Sequence, residues 1–430
     1  MAKVFLSFYN GIQDDSNPHA MACFYESFIH GLVKAGNDVF AHMHNYFLGD
    51  DRQLTLELKE QISEFNPDLV ILFNNSLGGG SIYKLCQCPV VIYEVDSPIY
   101  YQNKIDLKKD KDDLFFVSCQ EESMEILKSE FGIADNKIVL VPFFSEIIAK
   151  PMKMKHNIVF LGSKFHTNRI YQFVRDDITI EEQEIFYALL KEIERNPFIN
   201  IEELSKRYNI TDKMQKHLNI PYYVAALSDK NRTNVLANIS DLGLSIYGNS
   251  QWIKYETNDP YLTLRYNPKK LYSLKHNEDL YNSSKIGINI NVIQAVSGFS
   301  WRVCDILASN ACLVSEYKSK LKSLFPKVDI PTFTNAYEAR QIVKNLLANE
   351  NKRLDIVFAA NEAIEKGFRL RHTLKVLEEI SGVSLLNSGV GKMKFVTQIA
   401  TARLSLKRKA ILALYNYSKK YLSKRGLIEL

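Results

Sequence analysis

Residues 281–317 read YNSSKIGINI NVIQAVSGFS WRVCDILASN ACLVSEY. Leu280–Ser283 close a helix, Lys285–Ile293 alternate as a strand, Gln294–Ser300 form a polar loop, and Trp301–Ser309 open a helix. A second apolar strand, Ala311–Ser315, follows and ends in Glu316. A strand that feeds a polar loop and then a helix N-terminus is a ready anion site, because the first N–H groups of a helix lack partners within it. Arg302 and Asp305 stand three apart and share one face of that helix. A guanidinium suits a diphosphate and a carboxylate suits a ribose diol, which points to a nucleotide-sugar. The same window also fits an ordinary βαβ crossover with a surface Arg–Asp pair.

The rest of the chain supplies the context. Lys3–Tyr9, Asp38–His42, Asp68–Phe73 (DLVILF), Pro89–Tyr93 (PVVIY), Leu114–Ser118 and Ile138–Val141 are apolar runs, with helical spacing over 20–35, 54–65 and 121–131. Apolar runs alternating with helices predict a parallel sheet covered on both faces. The pattern restarts at Ile158–Leu161 and continues through Leu242–Tyr247, Lys275–Asp279, the opening stretch and Pro331–Phe333, with helices over 336–348, 352–366 and 370–380. Thr179–Ala226 interrupts it with helical sequence. The fold class is therefore α/β: two Rossmann-like domains facing across a cleft, with a helical insertion in the second. The expected boundaries are 1–150, 151–385 with its insertion at 179–226, and 386–430 as a tail.

At 430 residues, two or three domains are expected. No run of eighteen apolar residues exists, and the N-terminus lacks a secretory cleavage pattern. Six scattered cysteines, mostly in apolar runs, suggest buried free thiols in a reducing compartment. The net charge of +5 is uneven: ten of 54 basic residues and one of 49 acidic ones fall within 390–430, so the body is slightly acidic. In the tail, Leu404, Ile411, Tyr415 and Leu422 fall on one helical face amid lysines, a pattern that fits an anionic membrane surface or a helix packed on the body. Within the insertion, 196–218 resembles a helix-turn-helix. The acidic body and the lack of an arginine run on its second helix argue against nucleic acid as a partner.

In open α/β sheets ligands sit at the carboxyl ends of the strands. There Asp96, in VVIYEVDSP, is a candidate general base, with turn chemistry as the plain reading. His19, with Asp14 and Asp15 near it in sequence, is a second catalytic candidate. On the other side Gly162, Ser163 and Arg169 are placed to hold a diphosphate, and Tyr247, Gly248 and Trp252 to receive a base or sugar. Asn291, Ser297, Gly298, Arg302 and Asp305 complete the candidate donor set. No Walker loop, G-x-G-x-x-G after the first strand, H-E-x-x-H, G-x-S-x-G or metal-ligand spacing is present, so neither a dinucleotide cofactor nor a metal is expected.

Taken together, IVFLGS, LSIYG with its following Trp, YNSSKIGINI, WRVCDILASNACLVSEY, RHTLKVLEEI, PDLVILF and VVIYEVDSP resemble the CgeB-like, spore-maturation-type glycosyltransferases of the GT-B fold. The resemblance spans residues 1–385 apart from the insertion. It implies that Arg302 contacts the donor diphosphate and Asp305 the donor ribose. It implies a reaction residue at His19 or Asp96, and a metal-free mechanism. Where many such enzymes carry Glu-x7-Glu, this chain has Ser297 and Asp305. The implied activity is transfer of a sugar from a nucleotide-sugar to a glycan, lipid-linked or protein acceptor, in the cytoplasm or at the inner face of the plasma membrane. A sugar-nucleotide epimerase of the same fold and a nucleic-acid-associated regulator using the insertion are the alternatives.

Overall fold

The computed structural model describes residues 1–12, 17, 19–45, 54–101, 104–165, 178–215, 217–253 and 259–399. The expected sites at Arg169, Asp14 and Asp15 and the amphipathic face at 404–422 lie outside the described residues.

The strands are β1 (Lys3–Asn10), β2 (Asp38–Asn45), β3 (Leu69–Phe73), β4 (Val90–Tyr93), β5 (Leu114–Ser118), β6 (Ile138–Leu140), β7 (His156–Leu161), β8 (Leu244–Tyr247), β9 (Ser284–Asn289), β10 (Cys312–Glu316), β11 (Thr332–Phe333) and β12 (Met393–Ile399). They form a seven-stranded sheet, β12-β2-β1-β3-β4-β5-β6, and a five-stranded sheet, β11-β10-β9-β7-β8. Every pairing between these strands is parallel. All five β3 residues and all four β4 residues are buried, as strands covered by helices on both faces must be. Two parallel-sheet α/β domains are thus present, as the sequence predicts. In each sheet the chain leaves a central strand in both directions: β1 lies between β2 and β3, and β7 lies between β8 and β9. The loops after β1 and β7 therefore leave crevices at the switch points, where open α/β sheets bind ligands.

Three expectations change. Lys275–Asp279, read as a strand, lies within the helix Leu274–Asn282, whose N-terminus Ser273 caps by accepting from His276 N–H. The short stretch carried too little periodicity to tell the two apart. The expected tail starts with a strand: β12 extends the first sheet beside β2, in register from Met393 opposite Val39 to Ile399 opposite Asn45. Gly391 makes this return possible, since a Cβ there would lie 1.8 Å from the Asn37 carbonyl oxygen. The helix-turn-helix reading also changes, because its second helix, Asp212–Gln215, is a single turn. Leu204, Met214 and Leu218 instead pack with Phe186, Leu189 and Tyr223 in a small core of the insertion's own. Val292 and Ile293 of the loop after β9 pack against that core.

The chain crosses between domains twice, and the crossings are pinned together. Arg369 donates through Nη1 to the carbonyls of Ser145 (2.8 Å) and Ile147 (2.6 Å). The Leu370 N–H donates to Glu146 Oε1 at 2.8 Å, and the Ser145 N–H to the Phe368 carbonyl at 3.0 Å. The helix Leu370–Ser381 then returns to the first domain, where Gly31 leaves room for the Leu370 side chain.

Candidate active site

A cavity of about 810 Å³ opens between the two domains, within the roughly 300–1,000 Å³ usual for small-molecule sites. Gly11 and Ile12 after β1, with Ala22 and Cys23, form its first-domain wall. Leu161, Gly162 and Ser163 after β7, Gly248–Gln251 after β8, Lys270–Tyr272, Trp301 and Arg302 form the other. Of the expected donor residues, the structure thus brings Gly162, Ser163, Gly248 and Arg302 to one cavity.

Arg302 begins the helix Arg302–Leu307, with its guanidinium over the Trp301 ring at 5.2 Å. Among the described residues no carboxylate forms an ion pair with it, so its charge remains available to an anion. The helix is only six residues long, shorter than the sequence suggested. Asp305 does not share the cavity wall with Arg302. It is buried, with Oδ1 accepting from Ser145 Oγ at 2.6 Å and Oδ2 from Cys23 Sγ at 3.6 Å. Its bonds to Ser145 and Cys23 hold Asp305 at the domain seam, away from the cavity lining. Burial pushes its carboxyl up to about 6.

The other expected donor residues serve as framework. Trp252 is buried and donates its indole N–H to the Gly162 carbonyl at 2.9 Å, so it ties the two loops together and does not stack on an open site. Tyr247 is buried beneath them. Asn291 donates its backbone N–H to Glu316 at 3.0 Å and accepts the Ser300 N–H at 3.1 Å, which shapes the loop after β9. Ser297 donates to Glu122 of the first domain, and Gly298 packs against Gln120.

Three residues escaped the sequence reading. Lys164 is buried, paired with Asp229 at 3.2 Å and bonded to Thr233 at 3.0 Å, with its ammonium 5.1 Å from the Trp252 ring. Arg232 is buried beside Phe160 and Phe165, and donates to the carbonyls of Ser163 and Ile290. Burial, then the Arg302 charge, hold Arg232 down to about 10. Lys270 lines the cavity directly. Lys164 and Arg232 fix the loop after β7 and add positive charge behind it. Their signal was a GSK turn and a lone Arg in a helix, neither of which forms a recognisable motif.

Gly248 approaches this loop so closely that a Cβ would lie 2.1 Å from the Gly162 carbonyl oxygen. Gly248→Ala must push the two loops apart. The expected cost is about 1–3 kcal/mol by urea unfolding, with weakened ligand binding in the cavity.

Asp96, just past β4 in the first domain, is exposed but crowded by protein, and it is not among the residues that line this cavity. Desolvation by those surroundings raises its carboxyl above the ordinary aspartate value, while bonds from Gln294 and Asn74 oppose the shift. Asn74 Nδ2 donates to Asp96 at 2.9 Å and Gln294 Nε2 at 3.3 Å. His19 lies elsewhere. Its Nδ1 is 3.1 Å from Thr397 Oγ1 and its ring meets Phe395 edge-on, in a separate cavity of about 240 Å³ beside β12. The β12 return, invisible as a strand in the sequence, draws His19 to the sheet edge.

Glu94, the residue after β4, is buried and pushed up to about 7 by burial, against donors from Ser118, Ser123 and the Cys119 N–H. Glu94 and Asp305 both hold their protons more tightly when folded. Between about pH 4 and 7 the folded protein retains protons that the unfolded chain has released, so stability falls as pH rises through that window. The loss is on the order of 3 kcal/mol for each group. Urea unfolding at stepped pH checks this, and Glu94→Gln with Asp305→Asn flattens the curve.

The comparisons with known proteins bear on the fold. Residues 232–379 match the glycosyl transferase-like family model. That segment contains β8–β11 and Arg302, and the second-domain lining of the cavity apart from Leu161, Gly162 and Ser163. The fold is similar to that of sucrose-phosphate synthase from Thermosynechococcus elongatus, at TM-score 0.51 and 9% identity over 89% of this chain and 100% of that one. An Anabaena protein, HepE, in complex with UDP-glucose aligns at TM-score 0.48 and 10% identity over 89% of this chain and 100% of that one. A Rickettsia africae glycosyltransferase aligns at 0.45 and 13% over 89% and 99%. No curated protein matches the sequence. The chain has the two-domain GT-B fold, and its residues 232–379 are similar to glycosyl transferase-like proteins. Among the described residues no helix is long and apolar enough to cross a membrane.

Proposed function

We propose that the protein transfers a sugar from a nucleotide-sugar donor, held against the second domain, to an acceptor hydroxyl presented by the first. The observation that carries this reading is the cavity at the switch points of both sheets, with the Arg302 guanidinium in its wall and no carboxylate paired to it. The acceptor oxygen attacks the anomeric carbon and the bond from that carbon to the diphosphate oxygen breaks. The acceptor proton passes to Asp96, and the leaving diphosphate is stabilised by Arg302. Gly162, Ser163 and Gly248 bring backbone close to the donor, and Lys164 and Arg232 hold that backbone in place. Asp305 acts from the seam, through Ser145 and Cys23, and makes no direct ribose contact in this reading.

The CgeB-like resemblance supports a surface glycan, lipid-linked glycan or glycoprotein as acceptor. The basic stretch at 400–430 supports work beside an anionic membrane on its cytoplasmic face. A thermal-shift screen against a panel of sugar nucleotides tests the donor reading, because a ligand that binds only the folded state raises its stability by mass action. One nucleotide class is expected to raise Tm well above the rest. A flat panel would remove the donor assignment.

A further inference from the structure

The loop Gln294–Ser300 leaves the second sheet and rests on the first domain. Gln120, just after β5, receives it as a neighbouring strand would. Its Nε2 donates to the Gln294 carbonyl at 3.0 Å, and its Oε1 accepts the Val296 N–H at 3.1 Å. Gly298 fits there because a Cβ would lie 2.9 Å from Gln120 Cβ. Ser297 bonds Glu122 and Lys320 pairs with Glu121 beside it.

Held in this way, the loop sends one side chain to Asp96. Gln294 Nε2 donates to Asp96 Oδ1 at 3.3 Å, while Asn74 Nδ2 donates to Oδ2 at 2.9 Å. Asn74 sits at φ +51° and accepts the Val95 and Asp96 N–H groups at 2.8 and 2.9 Å. The Asp96 carboxylate is therefore gripped by one amide from each domain. The Gln294 Oε1 is buried without a hydrogen-bond partner, so the amide contributes its N–H at the cost of leaving its oxygen unsatisfied.

We propose that Gln294 is a positioning residue for Asp96, delivered from the donor-side loop and in contact only while that loop rests on the first domain. The inference depends on Asp96 being the base of the proposed reaction. An N–H donated to a carboxylate favours its ionised, proton-accepting form. The aim and ionisation of Asp96 thereby depend on the two domains being together. The other titratable groups facing Asp96 are Tyr25, Tyr100, Tyr101 and Cys119, all raised mainly by burial and neutral in the acid range. Glu94 has its own donors and none from Gln294. A change in the acid limb on removing Gln294 therefore belongs to Asp96.

The test uses the full chain and UDP-glucose, or whichever panel member stabilises it more, and follows nucleoside diphosphate release against pH. Gln294→Ala is expected to lose about ten-fold in kcat/KM at mildly acidic pH and much less at alkaline pH, because its acid limb moves to higher pH. Gln294→Met keeps the length without the N–H and should behave alike, which covers a folding defect in the alanine variant. An unmoved limb in both variants, with Asp96→Asn inactive, would overturn the role of Gln294 and leave Asp96 standing. Asp96→Asn with activity and limb intact would overturn both.

Discussion

Asp96→Asn is expected to lower kcat/KM by about 100- to 10,000-fold while donor affinity stays within a few-fold. The side chain keeps its size: its oxygen can still accept from Asn74, and its new NH2 can donate to the unpartnered Gln294 Oε1 once that amide turns over, so the loop after β4 stays in place. The lost quantity is a proton acceptor. Asp96 suits that task better than an ordinary surface aspartate, since desolvation raises its carboxyl and makes it a stronger base. Bonds from Gln294 and Asn74 pull the other way and favour its ionised form. Steady-state kinetics separate this from a binding defect, because KM for donor should barely change. A loss confined to KM would place Asp96 in binding and leave the proton without an acceptor.

Arg302→Ala is expected to weaken donor binding about 10- to 150-fold, the range for removing a hydrogen-bonded charge from an anion. The guanidinium forms no ion pair among the described residues, so its loss breaks no internal salt bridge and folding should be preserved. Two nearby cations do not replace it: Lys164 is committed to Asp229, and Arg232 to the Ser163 and Ile290 carbonyls. Arg302→Lys should recover part of the affinity as a point charge without the fork geometry that suits a diphosphate. Calorimetry with the best panel member reads both variants. Unchanged binding in the alanine variant would remove Arg302 from the donor site.

The fold was legible because parallel strands covered on both faces must be continuous apolar runs. DLVILF and PVVIY admit no solvent-facing alternation, and both are buried strands. β12 was not legible: KFVTQI within MKFVTQI mixes polar and apolar residues as an edge strand does, and its partner β2 lies some 350 positions earlier in the chain. The site was half legible. Glycines after strands and Arg302 after the loop marked the cavity, because close backbone approach and a free guanidinium leave traces in local sequence. Which way a side chain turns leaves none. Asp305, Trp252 and His19 are claimed by Ser145, Gly162 and Thr397, residues brought near only by tertiary packing. Gln294 had no local motif either, since its significance lies in Asp96 across the cleft.

The central claim is that one cavity between the two sheets binds the donor. Hydrogen–deuterium exchange of the full chain, with and without the sugar nucleotide that stabilises it most, tests this directly. Protection is expected at 161–163, 248–253 and 301–303, the segments that line the cavity from the second domain. Protection confined to other segments, or spread evenly over the chain, would contradict it.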